Sequence, residues 1–207
     1  MIRKTLLVCA VATGFAGDAR AQSWESPTFF SPRAGNEIGA HLISPDGGDL
    51  GFMGIWRQTG SINLGLRGGF GGRSGDHTVL LGAEFFGPIV SPHDTQILAV
   101  SWLVGAGASF DGVTWLRIPA GISVGAEIVA STVTITPYVH PRVSLDVLSF
   151  DRANGDNDTN SELNFDADFG ADFAFSRWIA RFGLTVGDRD VVGFGLAYRI
   201  PRGVAVR

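Results

Sequence analysis

The chain has 207 residues, a formal net charge of −4 and an isoelectric point of about 5.5. Its length fits one domain, and its acidic balance argues against nucleic acid as a partner. Charged residues make up 17% of the chain, below the roughly 25% of soluble domains, and 29 residues are glycine. No apolar run reaches about eighteen residues, so the sequence predicts no transmembrane helix.

The N-terminus has the pattern of a secretory signal peptide. Two basic residues precede a mostly apolar run, and Ala-Arg-Ala at 19–21 is a small-x-small cleavage pattern. We expect residues 1–21 to be removed, together with Cys9, the single cysteine. The exported chain would therefore have no disulfide. Residues 22–36 are polar and contain prolines, and we expect them to form a periplasmic lead-in.

From residue 37 to residue 200, apolar residues alternate with small or polar ones. A strand places successive side chains on opposite faces, so this period predicts an antiparallel sheet with one apolar face. The segments are longer than the strands of soluble proteins, which usually have about five or six residues. They have the length of strands that cross a membrane, roughly nine to eleven residues. About ten strands are predicted, or eight if the first two pair poorly: 37–44, 50–58, 61–69, 77–86, 96–110, 113–128, 133–146, 162–175, 178–187 and 191–200.

The clearest alternation lies in the predicted strand 162–175. Its odd-numbered positions are apolar, and its even-numbered positions are acidic, polar or small. We therefore assign Phe165 and Phe169 to one face and Asp166 and Asp168 to the other.

Ionic side chains along the chain share the polar face. If the sheet closes into a barrel, they converge in its interior, where ion pairs would satisfy charges that cannot face lipid. We predict a lumen ion-pair network formed by Arg67, Glu84, Arg117, Glu127, Arg142, Asp166, Asp168, Asp172, Arg181 and Arg199.

Two closed structures are compatible with this alternation. In a membrane barrel the apolar face meets lipid, whereas in a soluble, lipocalin-like barrel it forms the core. A narrow barrel cannot enclose so many Phe, Trp and Leu side chains, which favours the first structure. We predict an all-β fold, a closed antiparallel up-and-down transmembrane barrel. Its interfacial aromatic girdle would be drawn from Trp56, Trp102, Trp115, Trp178, Tyr138 and Tyr198.

Two features bear on how regular this barrel is. Pro119, Pro137 and Pro141 lie within predicted strands, and a closed barrel has no free edge to host proline. We expect bulges there, or pairing that ends early. The longest polar segment, 150–161, is expected to be a solvent loop within the outer connection 147–161.

No motif assigns catalysis. The glycine-rich stretch 70–76 lacks the Lys-Ser/Thr ending and the helix of a phosphate-binding loop. His77, at the predicted outer rim, and His140, in the predicted lumen, are the candidates for an enzymatic role. Neither belongs to a recognisable set of nucleophile, base and orienting residue. We predict no catalytic residue, metal site or cofactor.

With these features the chain resembles the small outer-membrane β-barrel proteins of the opacity-protein and OmpA-transmembrane type. The resemblance is one of pattern and covers residues 37–200. Those families usually end in an aromatic residue on the last strand, which the barrel assembly machinery reads. Here Phe194-x-Leu196-x-Tyr198-x-Ile200 matches, but a tail at 201–207 follows.

The resemblance implies a monomer in the outer membrane of a Gram-negative cell, with membrane lipid and the barrel assembly machinery as partners. We expect a structural or adhesive role through the outer loops, or porin-like passage of small solutes. The alternatives are an outer-membrane enzyme that modifies lipid or peptide, and a soluble periplasmic lipocalin-like binder.

Overall fold

The computed structural model describes residues 26–45, 49–73, 76–93, 96–110, 114–151, 157–187 and 190–201. These residues form a single antiparallel sheet. Its strands are β1 (Glu37–Pro45), β2 (Asp49–Gln58), β3 (Leu64–Arg73), β4 (Asp76–Val90), β5 (Leu98–Phe110), β6 (Thr114–Ala126), β7 (Ile128–Ala130), β8 (Val133–Asp151), β9 (Asn157–Phe175), β10 (Trp178–Val186) and β11 (Val191–Arg199).

The sheet closes into a barrel in which strands pair with their sequence neighbours, apart from β6 and β7, and β1 pairs with β11. β6 and β7 act as one strand interrupted at Glu127, because both pair with β8. The predicted closed up-and-down barrel of ten strands is therefore confirmed. We call the end at which β1 begins and β11 ends the near end, and the opposite end the far end.

Side chains alternate across the wall as the sequence predicts. Phe165 is 71% exposed on the outside, whereas Asp168 on the same strand is 1% exposed inside. β10 repeats the pattern, with Phe182 outside and Arg181 inside. The lipocalin-like alternative requires the apolar face inside, and the burial of these residues is the reverse.

Several predicted loops are shorter than expected. β3 and β4 include most of the glycine-rich stretch 70–76, and β8 and β9 extend well into the predicted loop 147–161. A ladder of backbone hydrogen bonds does not require an apolar face. Strands can therefore continue where the period-two signal ends.

The three prolines cause neither a bulge nor an early end to the pairing. β6 and β8 pair at Gly121 with Arg142 and again at Val124 with Val139, in the same register on both sides of the gap. Similar gaps lie opposite Pro119, between β5 and β6, and opposite Pro137, where β6 gives way to β7. Each proline removes local ladder bonds while the register is kept.

The larger difference concerns the start of the chain. The described part of the predicted lead-in enters the barrel, where Phe29 and Phe30 are fully buried. Phe29 packs in the interior against a cluster of Ile43, Met53, Ile55, Leu80 and Val191.

No helix in the described ranges is long and apolar enough to span a membrane.

Closure between the first and last strands can be tested by cross-linking. Leu42 and Phe194 are paired on the outer face. Directly opposite side chains have Cβ atoms about 4.5–5.5 Å apart, within reach of a disulfide after small adjustments. In a Cys9→Ser background, we expect Leu42→Cys with Phe194→Cys to form a disulfide under mild oxidation.

The matched control is Leu42→Cys with Leu196→Cys, which places the second thiol one diagonal step away. The cross-linked fraction is read from non-reducing gels. Preferential cross-linking of the control pair would contradict the register.

Candidate functional site

The interior of the barrel is occupied by residues 26–34, which we call the lumen segment. Ser26, Thr28, Phe29, Phe30 and Ser31 are at most 1% exposed. The segment descends from the middle of the lumen to the near end, where the chain turns and enters β1. Its polar backbone lies where a ladder partner is absent, so it must be satisfied by side chains of the wall.

Side chains of the wall donate to four carbonyl groups of this segment. Arg57 donates to the carbonyl oxygens of Phe29, at 2.8 Å, and Thr28, at 3.0 Å, and Arg67 also donates to Thr28, at 3.0 Å. Ser123 donates to the carbonyl of Phe30 at 2.7 Å, and Ser101 to that of Pro32 at 3.0 Å. Donors from β2, β3, β5 and β6 thus fix the path of the backbone.

Thr28 carries the sequence-specific polar contact. Its hydroxyl donates to Asp168 Oδ2 at 2.6 Å, and its backbone N–H donates to the same oxygen at 3.0 Å. The hydroxyl oxygen is also 3.1 Å from Nδ1 of His140. Because the hydroxyl proton goes to Asp168, the His140 ring donates in this second bond. Thr185 donates to the other oxygen of Asp168 at 2.8 Å, which completes the site.

Aromatic rings hold the two phenylalanines. Phe29 stacks on His41 with a centroid distance of 4.2 Å. Phe30 meets Phe86 and His140 edge-on, at 5.5 and 5.6 Å, and the Arg57 guanidinium lies 5.4 Å from its ring centroid. Stacking and cation–π contacts of this kind are stronger where water is excluded.

Glycine in the wall makes room for the segment. A Cβ atom added at Gly183 would lie 2.8 Å from Cβ of Pro27, and one at Gly193 would collide with the ring of Phe29. The small residues of the inward face therefore accommodate an occupant of the lumen, in addition to the long arginines.

Arginines and carboxylates of β1–β4, β9 and β10 form a chain of ion pairs. Arg181 binds Glu37 at 2.6 Å and Asp172 at 3.0 Å. Glu37 also accepts from Arg57 at 3.0 Å, and Arg57 binds Glu84 at 2.5 Å. Arg67 joins the same chain through Glu84, at 2.7 Å.

A second group lies on the wall formed by β6, β8 and β9. Arg117 binds Asp146, and it lies 3.6 Å from Asp166. Arg142 lies 3.6 Å from Asp166 and 3.4 Å from Asp168. Through Asp168 this group reaches Thr28, so both groups of ion pairs contact the lumen segment.

The ten residues assigned to the lumen from the sequence lie in three places. Arg67, Glu84, Arg117, Arg142, Asp166, Asp168, Asp172 and Arg181 are buried within the two groups just described. Glu127 is partly exposed and binds Arg33 of the lumen segment at 2.7 Å. Arg199 is exposed at the near end, beside a cavity of about 420 Å³ lined also by Asn36 and Asn63.

Three members of the ion-pair groups were missed: Glu37, Arg57 and Asp146. Each follows the inward phase of its strand, and Arg57 is adjacent to the outward Trp56. The phase would have identified all three if it had been applied at the strand ends. The girdle prediction was wrong for Trp115 and Tyr138, which are buried on the inward face.

The arrangement does not support catalysis. His140 and Asp168 are buried and engaged with Thr28, and the Thr28 hydroxyl donates to the acid rather than to the histidine. Within the described ranges, no group of three or more His, Cys, Asp or Glu side chains could hold a metal ion. The side chain of His77 lies outside the described residues.

No protein-family model and no curated protein matches the chain. Among solved structures, it is similar to the KdgM porin in complex with disordered oligogalacturonate, with 9% identity over 80% of this chain and 99% of that one and a TM-score of 0.40. It is also similar to Neisserial surface protein A, with 11% identity over 79% and 96% of the chains and a TM-score of 0.39. The outer membrane enzyme PagL gives 14% identity over 80% and 99%, with a TM-score of 0.38.

The ion-pair groups predict a large effect of removing one buried cation. Arg181→Met removes one partner of Glu37 and the arginine bound to Asp172, and breaking a buried pair from one side costs about 3–5 kcal/mol. We expect that loss in the free energy of unfolding, measured by denaturant titration in detergent.

Arg199→Met is the matched control, because Arg199 is exposed at the near end, and it should change stability by less than about 0.5 kcal/mol. Equal stabilities for the two variants would mean that the Arg181 contacts do not contribute to folding.

Proposed function

We propose that the protein is a monomeric outer-membrane β-barrel whose lumen is closed by its own N-terminal segment, and that its role is structural or adhesive, exercised through the far-end loops. The observation that carries this proposal is the combination of an apolar outer surface with a filled interior. An apolar outer face serves as an anchor in lipid, and a filled interior does not serve as a constitutive pore.

The outer surface has the composition and height of a lipid-facing band. On β9 the exposed side chains from Leu163 to Phe175 include four phenylalanines. At roughly 3.3 Å per residue and a tilt of about 40°, this stretch rises about 30 Å, enough for the apolar band of about 25 Å in such barrels. Thr159 and Ser161, farther along the same face, are polar.

Aromatic side chains border this surface at the near end. Trp178 and Tyr198 contact each other edge-on, with ring centroids 5.1 Å apart. Trp56 and Trp102 lie close to the near ends of their strands. Trp and Tyr favour the boundary between acyl chains and water, so these four residues fit one half of an interfacial girdle.

Export, assembly and orientation belong to the same proposal. A signal peptide at 1–21 would direct export, and the aromatic last strand would be read by the barrel assembly machinery. With the near end periplasmic, the far ends of the strands face the cell surface. The enzymatic alternative gains no support, because His140 is buried beneath the lumen segment.

Membrane embedding predicts a face-specific effect of charge. Phe169 lies mid-strand on the outer face, between Val139 and Leu184. A lysine at the bilayer midplane costs about 2–4 kcal/mol in such barrels. We expect Phe169→Lys to lower the free energy of unfolding in lipid vesicles by that amount. Ser161→Lys, on the same face of the same strand but beyond the apolar stretch, should change stability by less than about 0.5 kcal/mol. A smaller loss for Phe169→Lys than for Ser161→Lys would contradict the embedding.

Closure of the lumen is tested by conductance in planar bilayers. The full chain should give no stepwise currents. A variant in which residues 26–32 are replaced by a Gly-Ser sequence of the same length should give them, because the packing of the Phe29 and Phe30 rings, which fills the lumen, is lost. Currents of the same size from both proteins would show that the segment does not close the pathway.

A further inference from the structure

We propose that the lumen is a selective binding site for an extended, uncharged peptide in which a hydroxyl residue precedes two aromatic residues, and that residues 26–32 are its tethered occupant. The same peptide supplied in trans should take the same place. This inference concerns recognition inside the barrel and does not depend on the membrane in which the barrel lies.

The contacts divide into a general part and a specific part. Four wall side chains, Arg57, Arg67, Ser101 and Ser123, donate to backbone carbonyls, which every peptide has. Specificity comes from side-chain subsites. Asp168 and His140 take the hydroxyl of Thr28, His41 stacks on the first aromatic ring, and Phe86 meets the second.

The wall is largely complete without its occupant. Ser26–Pro32 contains no ionisable side chain. The guanidinium groups nearest the segment are paired with wall carboxylates, Arg57 with Glu37 and Glu84, and Arg67 with Glu84. Departure of residues 26–32 would therefore remove neutral acceptors and ring contacts, and no buried charge would lose its counter-ion. A site of this kind can be emptied and refilled.

The covalent connection is confined to one exit from the lumen. Ala34, Gly35 and Asn36 are partly exposed at the near end, and a Cβ atom added at Gly35 would have no neighbour within 4 Å. An insertion at this point should leave the contacts of the segment intact. Cutting there would leave the occupant held by non-covalent contacts alone.

The experiment starts from the full chain with a site-specific protease sequence inserted after Gly35. After cleavage of the folded protein in detergent, we expect the N-terminal fragment to remain bound through size-exclusion chromatography. A fluorescent synthetic peptide with the sequence of residues 26–32 should then replace it in a saturable manner. The Thr28→Val peptide, which keeps the shape and loses the hydroxyl, should bind at least about tenfold more weakly.

Two further peptides distinguish recognition from filling of space. The Thr28→Ser peptide keeps the hydroxyl and should bind within about threefold of the original. A peptide of the same composition in scrambled order should not bind. Equal binding of the Thr28→Val or scrambled peptide would overturn the proposal, as would release of the fragment without uptake of any labelled peptide.

If the fragment is held too tightly to exchange, the cleaved protein is unfolded and refolded with an equimolar mixture of the original and Thr28→Val peptides. Mass spectrometry of the refolded complex gives the ratio captured, which should exceed about ten to one. A ratio near one would overturn the proposal. It would also be overturned if the uncut chain refolds under conditions in which the cleaved chain does not refold with any added peptide.

Discussion

The guanidinium of Arg57 is fully removed from water, and the requirement that its N–H groups find acceptors connects most of the interior. The wall supplies carboxylate oxygens from Glu37 and Glu84, and the lumen segment supplies the carbonyl oxygens of Thr28 and Phe29. A buried cation without such partners would cost several kcal/mol. The wall carboxylates supply the counter-charge of Arg57, and the carbonyl groups of the segment accept from its remaining N–H groups. Closure of the barrel and filling of its lumen therefore both involve the contacts of Arg57.

This dependence explains why the inward face is not uniformly polar. Phe29 requires an apolar surround, and Ile43, Met53, Leu80 and Val191 provide it inside a barrel whose other inward residues are largely charged or small. Between them, the apolar cluster, the paired ions and the glycines leave a channel with the shape and hydrogen-bonding pattern of an extended peptide. A wide, hydrated pore would need none of these apolar inward residues.

The sequence predicts the wall much better than its content. Strict alternation, as in 162–175, determines both the strand and the face of each side chain, because a lipid-facing surface tolerates almost no exceptions. The predicted strand ends were less accurate, because backbone pairing continues beyond the apolar stretch, where the sequence has no periodic signal. The lumen segment has no period at all: it makes no ladder, and its two adjacent phenylalanines enter different subsites. Only the register of distant strands brings Asp168, His140 and Arg57 together around it. That register cannot be predicted from the sequence of residues 22–36.

The most direct test is a proton NOE spectrum of the selectively labelled protein in lipid nanodiscs. The account predicts cross-peaks from the ring of Phe169 to lipid acyl chains, and from the ring of Phe29 to that of His41, with none from Phe29 to lipid. Cross-peaks from Phe29 to bulk water or lipid, without contact to His41, would contradict the filled lumen on which the account rests.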